Sequence, residues 1–203
     1  MAVMLTNRFQ DALVFAAQLH ANQNRKGSTT PYIAHLLSVT ALVLEAGGDE
    51  DQAIAALLHD AVEDQGGMQT LEVIRSRYGE RVARIVDGCT DAYQTPKPPW
   101  KERKEEYIQH LHSVPAEVRL VSLADKLHNA RAILADLRSQ GAQTWDKFNG
   151  GKQGTLWYYR TLVDVFDATG ADAMTAELKR VVDGISCLAE DEAYTKESPN
   201  GCP

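Results

Sequence analysis

The chain reads as all-α, a bundle of helices, on three observations. Apolar residues recur at helical spacing in one segment after another, alternation with a period of two is essentially absent, and glycine pairs or proline-rich stretches separate the segments. With 203 residues, 44% of them hydrophobic and 24% charged, the chain is long and apolar enough to close a core of its own. The expected organisation is one domain over residues 1–188, followed by a polar, disordered tail at 189–203.

The first helix is expected over 7–21, where Phe9, Leu13, Ala16, Ala17 and His20 fall on one face. The second begins with Thr30 as N-cap and Pro31 at the first helical position. Ile33, Leu36, Leu37, Thr40, Val43 and Leu44 carry its stripe to Gly47-Gly48. The third, over 50–64, is rich in alanine and leucine, apolar nearly all round, and stops at Gly66-Gly67. Such a helix belongs at the centre of a bundle, so a polar side chain on it must be paired or functional. Further helices are expected at 70–78, 80–90, 101–112, 115–138, 154–168 and 171–188, with loops at DAYQTPKPPW and WDKFNGGKQG.

A formal net charge of -7 argues against a protein that grips polymeric nucleic acid by releasing counterions. Cys89, Cys187 and Cys202 are odd in number and lack CxxC spacing, which suggests neither a disulfide framework nor a thiolate zinc site. The start lacks a basic signal-peptide region, and no apolar run approaches the ~18 residues of a membrane span. A cytoplasmic protein is expected, monomer or homodimer, with no membrane partner.

The chemistry centres on HDAVED, residues 59–64. At about 100° per residue, His59, Asp60, Glu63 and Asp64 fall at roughly 0°, 100°, 40° and 140° on one continuous helix, all on one side. Three carboxylates and an imidazole on so apolar a helix are costly to bury without a cation or hydrogen bonds to compensate. His59 and Asp60 suit a divalent metal, and Glu63 and Asp64 can either support the metal ligands from behind or act as general acid and base. His35 in PYIAH and Asp125 in LADKLHN, from two other helices, are the third and fourth candidate ligands. Two imidazoles and two carboxylates suit manganese, iron or zinc, with manganese the first choice.

A lone HD pair is a chance event in most chains, and a lone buried histidine is usually core; the combination of six residues outweighs that reading. His20, His110 and His112 have no such support and are taken as structural, and His128 as core packing. Lys97, Lys101, Arg103 and Lys104 form a basic group after the proline-rich loop. They suit terminal phosphates and a solvated helix face equally well, interleaved as they are with Glu102, Glu105 and Glu106. WYYR at 157–160 reads as core, with Tyr159 or Arg160 able to close a pocket.

The order RK, PYIAH, HDAVED and LADKLHN resembles the HD-type hydrolase domain of the RelA/SpoT alarmone enzymes and the stand-alone small alarmone hydrolases, over about residues 5–165. The resemblance implies removal of the 3′-pyrophosphate of (p)ppGpp with a manganese ion held by His35, His59, Asp60 and Asp125, and with Glu63 and Asp64 as the working carboxylates. It also implies that Arg25 and Lys26 line a nucleotide pocket and that Asn129 holds the ribose or base. The chain departs from the family at Leu36, where proline is common, and at Ser122, where lysine is common. At Ala132, guanosine-hydrolysing members often carry a threonine, which makes (p)ppApp a candidate beside (p)ppGpp. A phosphatase acting on NADPH or another nucleotide, and a non-catalytic nucleotide sensor, are the alternatives from other classes; an intact Glu63 and Asp64 argue against the sensor.

Overall fold

The structure, a computed structural model, describes residues 3–91 and 98–197. The all-α expectation is borne out: the described residues form helices and contain no strand, only an isolated antiparallel bridge between Asn24 and Pro31. None of these helices is long and apolar enough to cross a membrane. The chain divides into two compact units, Met1–Asp125 and Lys126–Pro203.

In the first unit, α1 (Asn7–Leu19) is capped by the Thr6 hydroxyl, which accepts from the Arg8 amide. Between α1 and α2 (Ile33–Glu45) the chain doubles back as a short clasp. The Arg25 amide donates to the Thr30 carbonyl and the Tyr32 amide to the Gln23 carbonyl, each at 2.9 Å. The reversal at its tip needs a positive φ, which Gly27 supplies at 72°, and the Ser28 amide closes the turn on the Arg25 carbonyl at 3.0 Å. Thr30 and Pro31 therefore belong to the clasp, and Tyr32 takes the N-cap position that the sequence assigned to Thr30. Proline at 31 serves as a bridge residue with no amide to donate rather than as the first residue of a helix.

After α2, Gly48 lies where a Cβ would stand 2.6 Å from Val43 Cγ1 and 2.8 Å from the Val43 carbonyl oxygen, so a side chain there would collide with the helix end. Asp49 then opens α3 (Glu50–Leu58) with a capping box. Its carboxylate accepts from the Gln52 amide, and the Gln52 side chain accepts from the Asp49 amide. Ala53, Ile54, Ala55, Ala56, Leu57 and Leu58 are all fully buried as α3 packs against α1, α2 and α6. Full burial of each leucine contributes about 1.5–3 kcal/mol. The central position expected for this helix is the one it occupies.

The single helix expected over 50–64 is two. The α-helix ends at Leu58, His59 and Asp60 form a turn, and α4 (Ala61–Asp64) follows. Next come α5 (Gly67–Tyr78), α6 (Glu80–Cys89) and α7 (Trp100–Leu111). The unit boundary falls inside α8 (Ala116–Gln140).

The second unit continues from α8 through a 3₁₀ helix, Gly141–Lys147, which packs with α9 (Gly151–Gly170) and α10 (Ala173–Glu197). Most of WDKFNGGKQG is thus helical rather than loop: Trp145, Asp146 and Lys147 end the 3₁₀ helix, and Gly151 starts α9 with a positive φ. The stretch expected as a tail from 189 is helical as far as Glu197, its alanine, glutamate and lysine being good helix formers. Most of the DAYQTPKPPW loop, including Lys97, lies outside the described residues, as do Cys202 and the rest of 198–203.

Candidate metal centre

His35 sits on the buried face of α2 with Leu36, Val39 and Val43, and is 1% exposed. His59 ends α3 and is 3% exposed, and its Nδ1 lies 2.8 Å from the Ala56 carbonyl. A carbonyl can only accept, so Nδ1 carries a proton and Nε2 is the nitrogen turned toward Asp60 and Asp125. The turn at His59-Asp60 aims both side chains at one point, and Asp125 reaches it from α8.

Four imidazole-carboxylate separations describe the cluster. His35 Nε2 is 3.2 Å from Asp125 Oδ1 and 3.5 Å from Asp60 Oδ2; His59 Nε2 is 3.0 Å from Asp60 Oδ2 and 3.6 Å from Asp125 Oδ1. Ligand atoms of His35, His59 and Asp125 lie within 4.8 Å of one another. Donors that share one cation at about 2.1 Å stand about 3.0–3.4 Å apart for right-angle to tetrahedral geometry. These residues fit a divalent ion in spacing as well as in chemistry. The second imidazole nitrogen of His59, spent on a backbone carbonyl, completes the arrangement metal-binding histidines use.

The electrostatics point the same way. Burial pushes the His59 imidazole toward neutrality, but the Asp60 and Asp125 carboxylates outweigh it and hold the pKa well above the ordinary histidine value. Burial likewise pushes Asp60 up, and His59 with His35 outweighs that and holds it well below the usual carboxylate range. Two carboxylates facing two imidazoles make a centre that attracts positive charge.

Three residues around this centre were missed from the sequence. Tyr32 donates its hydroxyl to Asp60 Oδ2 at 2.6 Å. Burial and the Asp60 charge both raise its pKa far above the ordinary tyrosine value, so it stays a donor. Gln23 donates its side-chain amide to Asp64 Oδ2 at 2.8 Å. Asp91 places its backbone amide 3.3 Å from Glu63 Oε2, while its carboxylate receives Arg103 at 2.8 Å and Lys104 at 2.5 Å. The only local signal for any of them was the tyrosine in PYIAH, three residues before His35; the other two act across distances in the chain that periodicity does not reach.

Glu63 is half-buried and Asp64 exposed. They lie on α4, beyond the turn that carries His59 and Asp60, so the one continuous helix from which the common face was drawn is two. Arg25 is half-buried on the clasp, with its guanidinium carbon 5.9 Å from the Tyr32 ring centroid, and Lys26 is exposed at the turn. The basic group divides. Arg103 and Lys104 are only 11% and 17% exposed and are held on Asp91, whereas Lys101 pairs with Glu105 on a solvated helix face. Asn129 is half-buried on α8, one turn beyond Asp125, in the second unit. Tyr159 is buried in that unit, and Arg160 is bonded to Ser186. His20 is buried as expected, stacked on Tyr32 at a centroid distance of 5.2 Å, and His110 is bonded to the Gly88 carbonyl.

An α-helical unit that gathers two histidines and two aspartates around an HD turn defines a class of protein. A family model for the HD domain matches residues 12–156, and the chain belongs to that family. Within it, the chain is similar to the guanosine-3′,5′-bis(diphosphate) 3′-pyrophosphohydrolase MESH1 of Xenopus tropicalis, 39% identical over 140 residues that span 68% of this chain and 73% of the relative. The Homo sapiens protein of the same name is 40% identical over 125 residues, 60% of this chain and 66% of the relative. A longer Aquifex aeolicus guanosine-3′,5′-bis(diphosphate) 3′-pyrophosphohydrolase is 39% identical over 127 residues, 61% of this chain but 17% of that protein. Among solved structures, a metazoan ortholog of SpoT described as hydrolysing ppGpp superposes with a TM-score of 0.73 at 29% identity, covering 89% of this chain and 96% of that one. The resemblance to RelA/SpoT-type alarmone hydrolases drawn from the motifs is borne out by these relatives.

Proposed function

We propose that the chain is a metal-dependent hydrolase that removes the 3′-pyrophosphate of (p)ppGpp, with manganese as its ion. The observation that carries this reading is the convergence of His35, His59, Asp60 and Asp125 at separations of 3.0–3.6 Å, in a chain whose relatives carry that activity in their names. Those four residues would hold the ion, which supplies Lewis acidity toward the phosphoryl group and acidifies water.

This chain's own side chains do the rest. Water attacks the phosphorus bound to the ribose 3′ oxygen, that phosphorus-oxygen bond breaks, and pyrophosphate leaves. Glu63 and Asp64 take the proton released by the water and return one to the ribose oxygen. Arg103 and Lys104, kept in place by Asp91, receive the phosphate charge, and Arg25 and Lys26 meet the base on the clasp. The alanine at 132 favours a second substrate, (p)ppApp, because it removes a hydroxyl by which related enzymes are expected to recognise guanine.

A hydrolysis panel of (p)ppGpp, (p)ppApp, NADPH and ordinary nucleotides with added manganese tests the reading. Pyrophosphate released from one or both alarmones is the expected result. Turnover of NADPH alone would replace the reading with a different phosphatase, and metal binding without turnover of any compound would make the protein a sensor.

A further inference from the structure

We propose that Gln23 is a positioning residue for Asp64, a side-chain amide clamped in one orientation so that it fixes the carboxylate used in the reaction. The role in catalysis rests on the functional reading above; the clamp itself rests on geometry alone. Gln23 Nε2 lies 2.8 Å from Asp64 Oδ2, across 41 positions of sequence. An ionised carboxylate only accepts hydrogen bonds, so the nitrogen end of the amide must face it. The oxygen end then faces two donors, Gln65 Nε2 at 2.6 Å and His20 Nδ1 at 2.7 Å. Every partner in this network is consistent with one amide orientation and one histidine tautomer, and reversing the amide would set acceptor against acceptor at Asp64 and donor against donor at Gln65.

The clamp is itself anchored. His20 is 2% exposed and stacks on Tyr32, the residue that donates to Asp60. The Gln23 carbonyl accepts from the Tyr32 backbone amide at 2.9 Å, so both the backbone and the side chain of Gln23 are tied to the same tyrosine. One buried histidine thus supports the residue that holds Asp64 and the residue that holds Asp60.

What the network organises is an exposed group. Asp64 ends a helix of four residues and borders an open hollow with Leu19, Asn22, Gln23 and Gln65. An exposed aspartate on so short a helix would sample several rotamers, and the amide selects one. As a neutral donor, the Gln23 amide orients the carboxylate without itself adding a charge.

The test uses the full chain with manganese and ppGpp. Gln23→Glu is isosteric and still accepts from His20 and Gln65, but besides removing the donor it sets a second carboxylate against Asp64, so the deciding variant is Gln23→Met, which removes the donor and adds no charge. Gln23→Met should lower kcat by about tenfold or more, the scale of one lost hydrogen bond to a charged group, with KM and metal stoichiometry close to wild type. Placed on Asp64→Asn it should add no comparable loss, because Gln23 acts through Asp64. A wild-type kcat in Gln23→Met, or losses that add in the double variant, overturns the proposal. A second measurement is independent of substrate: in the side-chain amide NMR spectrum of diamagnetic protein, Asp64→Ala should shift the Gln23 NH₂ signals, and unmoved signals overturn the clamp. If the wild-type chain turns over no alarmone, the functional reading fails, and the spectrum still decides whether Gln23 holds Asp64.

Discussion

The Tyr32 hydroxyl donates to Asp60 Oδ2 at 2.6 Å, so a carboxylate of the proposed metal set is itself oriented by a phenol three residues before His35. Tyr32 opens α2 and His35 lies in its first turn, so one helix start delivers both an imidazole and the group that steers the opposing carboxylate. Hydrogen bonds to a ligand carboxylate fix its direction before the ion arrives, and their loss costs about 10–100-fold in metal affinity. Tyr32→Phe keeps the ring against His20 and His35 and removes only this bond. The expected result, by competition with a chelator, is manganese affinity lowered by about 10–100-fold in a folded protein; unchanged affinity would count against the orienting role.

Asp125→Ala removes a carboxylate that faces both imidazoles, at 3.2 Å and 3.6 Å. It should abolish stoichiometric metal binding while the helices persist, since α3 and its neighbours bury a core that does not depend on the ion. Metal analysis and far-UV circular dichroism on one sample check both halves. Full occupancy with unchanged affinity would remove Asp125 from the proposed ligand set.

Glu63→Gln and Asp64→Asn should separate chemistry from binding. Both groups lie on α4, beyond the turn that carries His59 and Asp60, so manganese affinity should stay near wild type. Turnover should fall by roughly 10²-fold or more, the scale of a lost general acid or base. Two variants with wild-type rates would reduce the pair to a structural role.

Much of this architecture was legible because its causes are local. The Ala53–Leu58 run announces a helix buried on all sides, Gly47-Gly48 marks its start, and Gly66-Gly67 follows the short α4 behind it. Two imidazoles and two carboxylates on separate helices could be paired by chemistry alone. The break at His59-Asp60 was not legible, since both residues keep backbone angles close to helical, with φ of -59° and -96°, and no glycine or proline marks them. Gln23 and Asp91 were hidden for another reason: their bonds to Asp64 and Glu63 cross 41 and 28 positions of sequence, and neither residue disturbs any periodic pattern. Arg103 and Lys104 could not be told from a solvated face because Asp91, which holds them, lies at the far side of the loop.

The cap of α3 sets a pH-dependent contribution to stability. Burial pushes the Asp49 carboxyl up, and the Gln52 amide and the Arg81 guanidinium outweigh it, so its folded pKa lies below the ordinary carboxylate value. A depressed pKa of this kind stabilises the fold fully above the unfolded value, near about 4, and the contribution is lost as pH falls through the folded value. Asp49→Ala should cost about 1 kcal/mol at neutral pH, a melting temperature lower by about 2–4 °C. The gap between variant and wild type should narrow as the melts are repeated below pH 4; a gap that widens on acidification would contradict the sign.

The bond that breaks decides between two hydrolytic outcomes. Attack at the phosphorus attached to the ribose 3′ oxygen expels intact pyrophosphate and leaves a 5′-phosphorylated nucleoside, whereas attack at the outer phosphorus gives orthophosphate and a 3′-monophosphate. The proposed roles favour the first. Glu63 and Asp64, on the short helix behind the HD turn, would return a proton to the departing ribose oxygen, and Arg103 and Lys104, held on Asp91 near Glu63, would take the charge of the leaving pyrophosphate. In oxygen-18 water, phosphorus NMR should therefore show pyrophosphate as the first product, with label in one of its phosphoryl groups and none on the nucleoside 3′ oxygen. Orthophosphate appearing first, or pyrophosphate released without label, would place the attack at a different atom and require another assignment of the carboxylates.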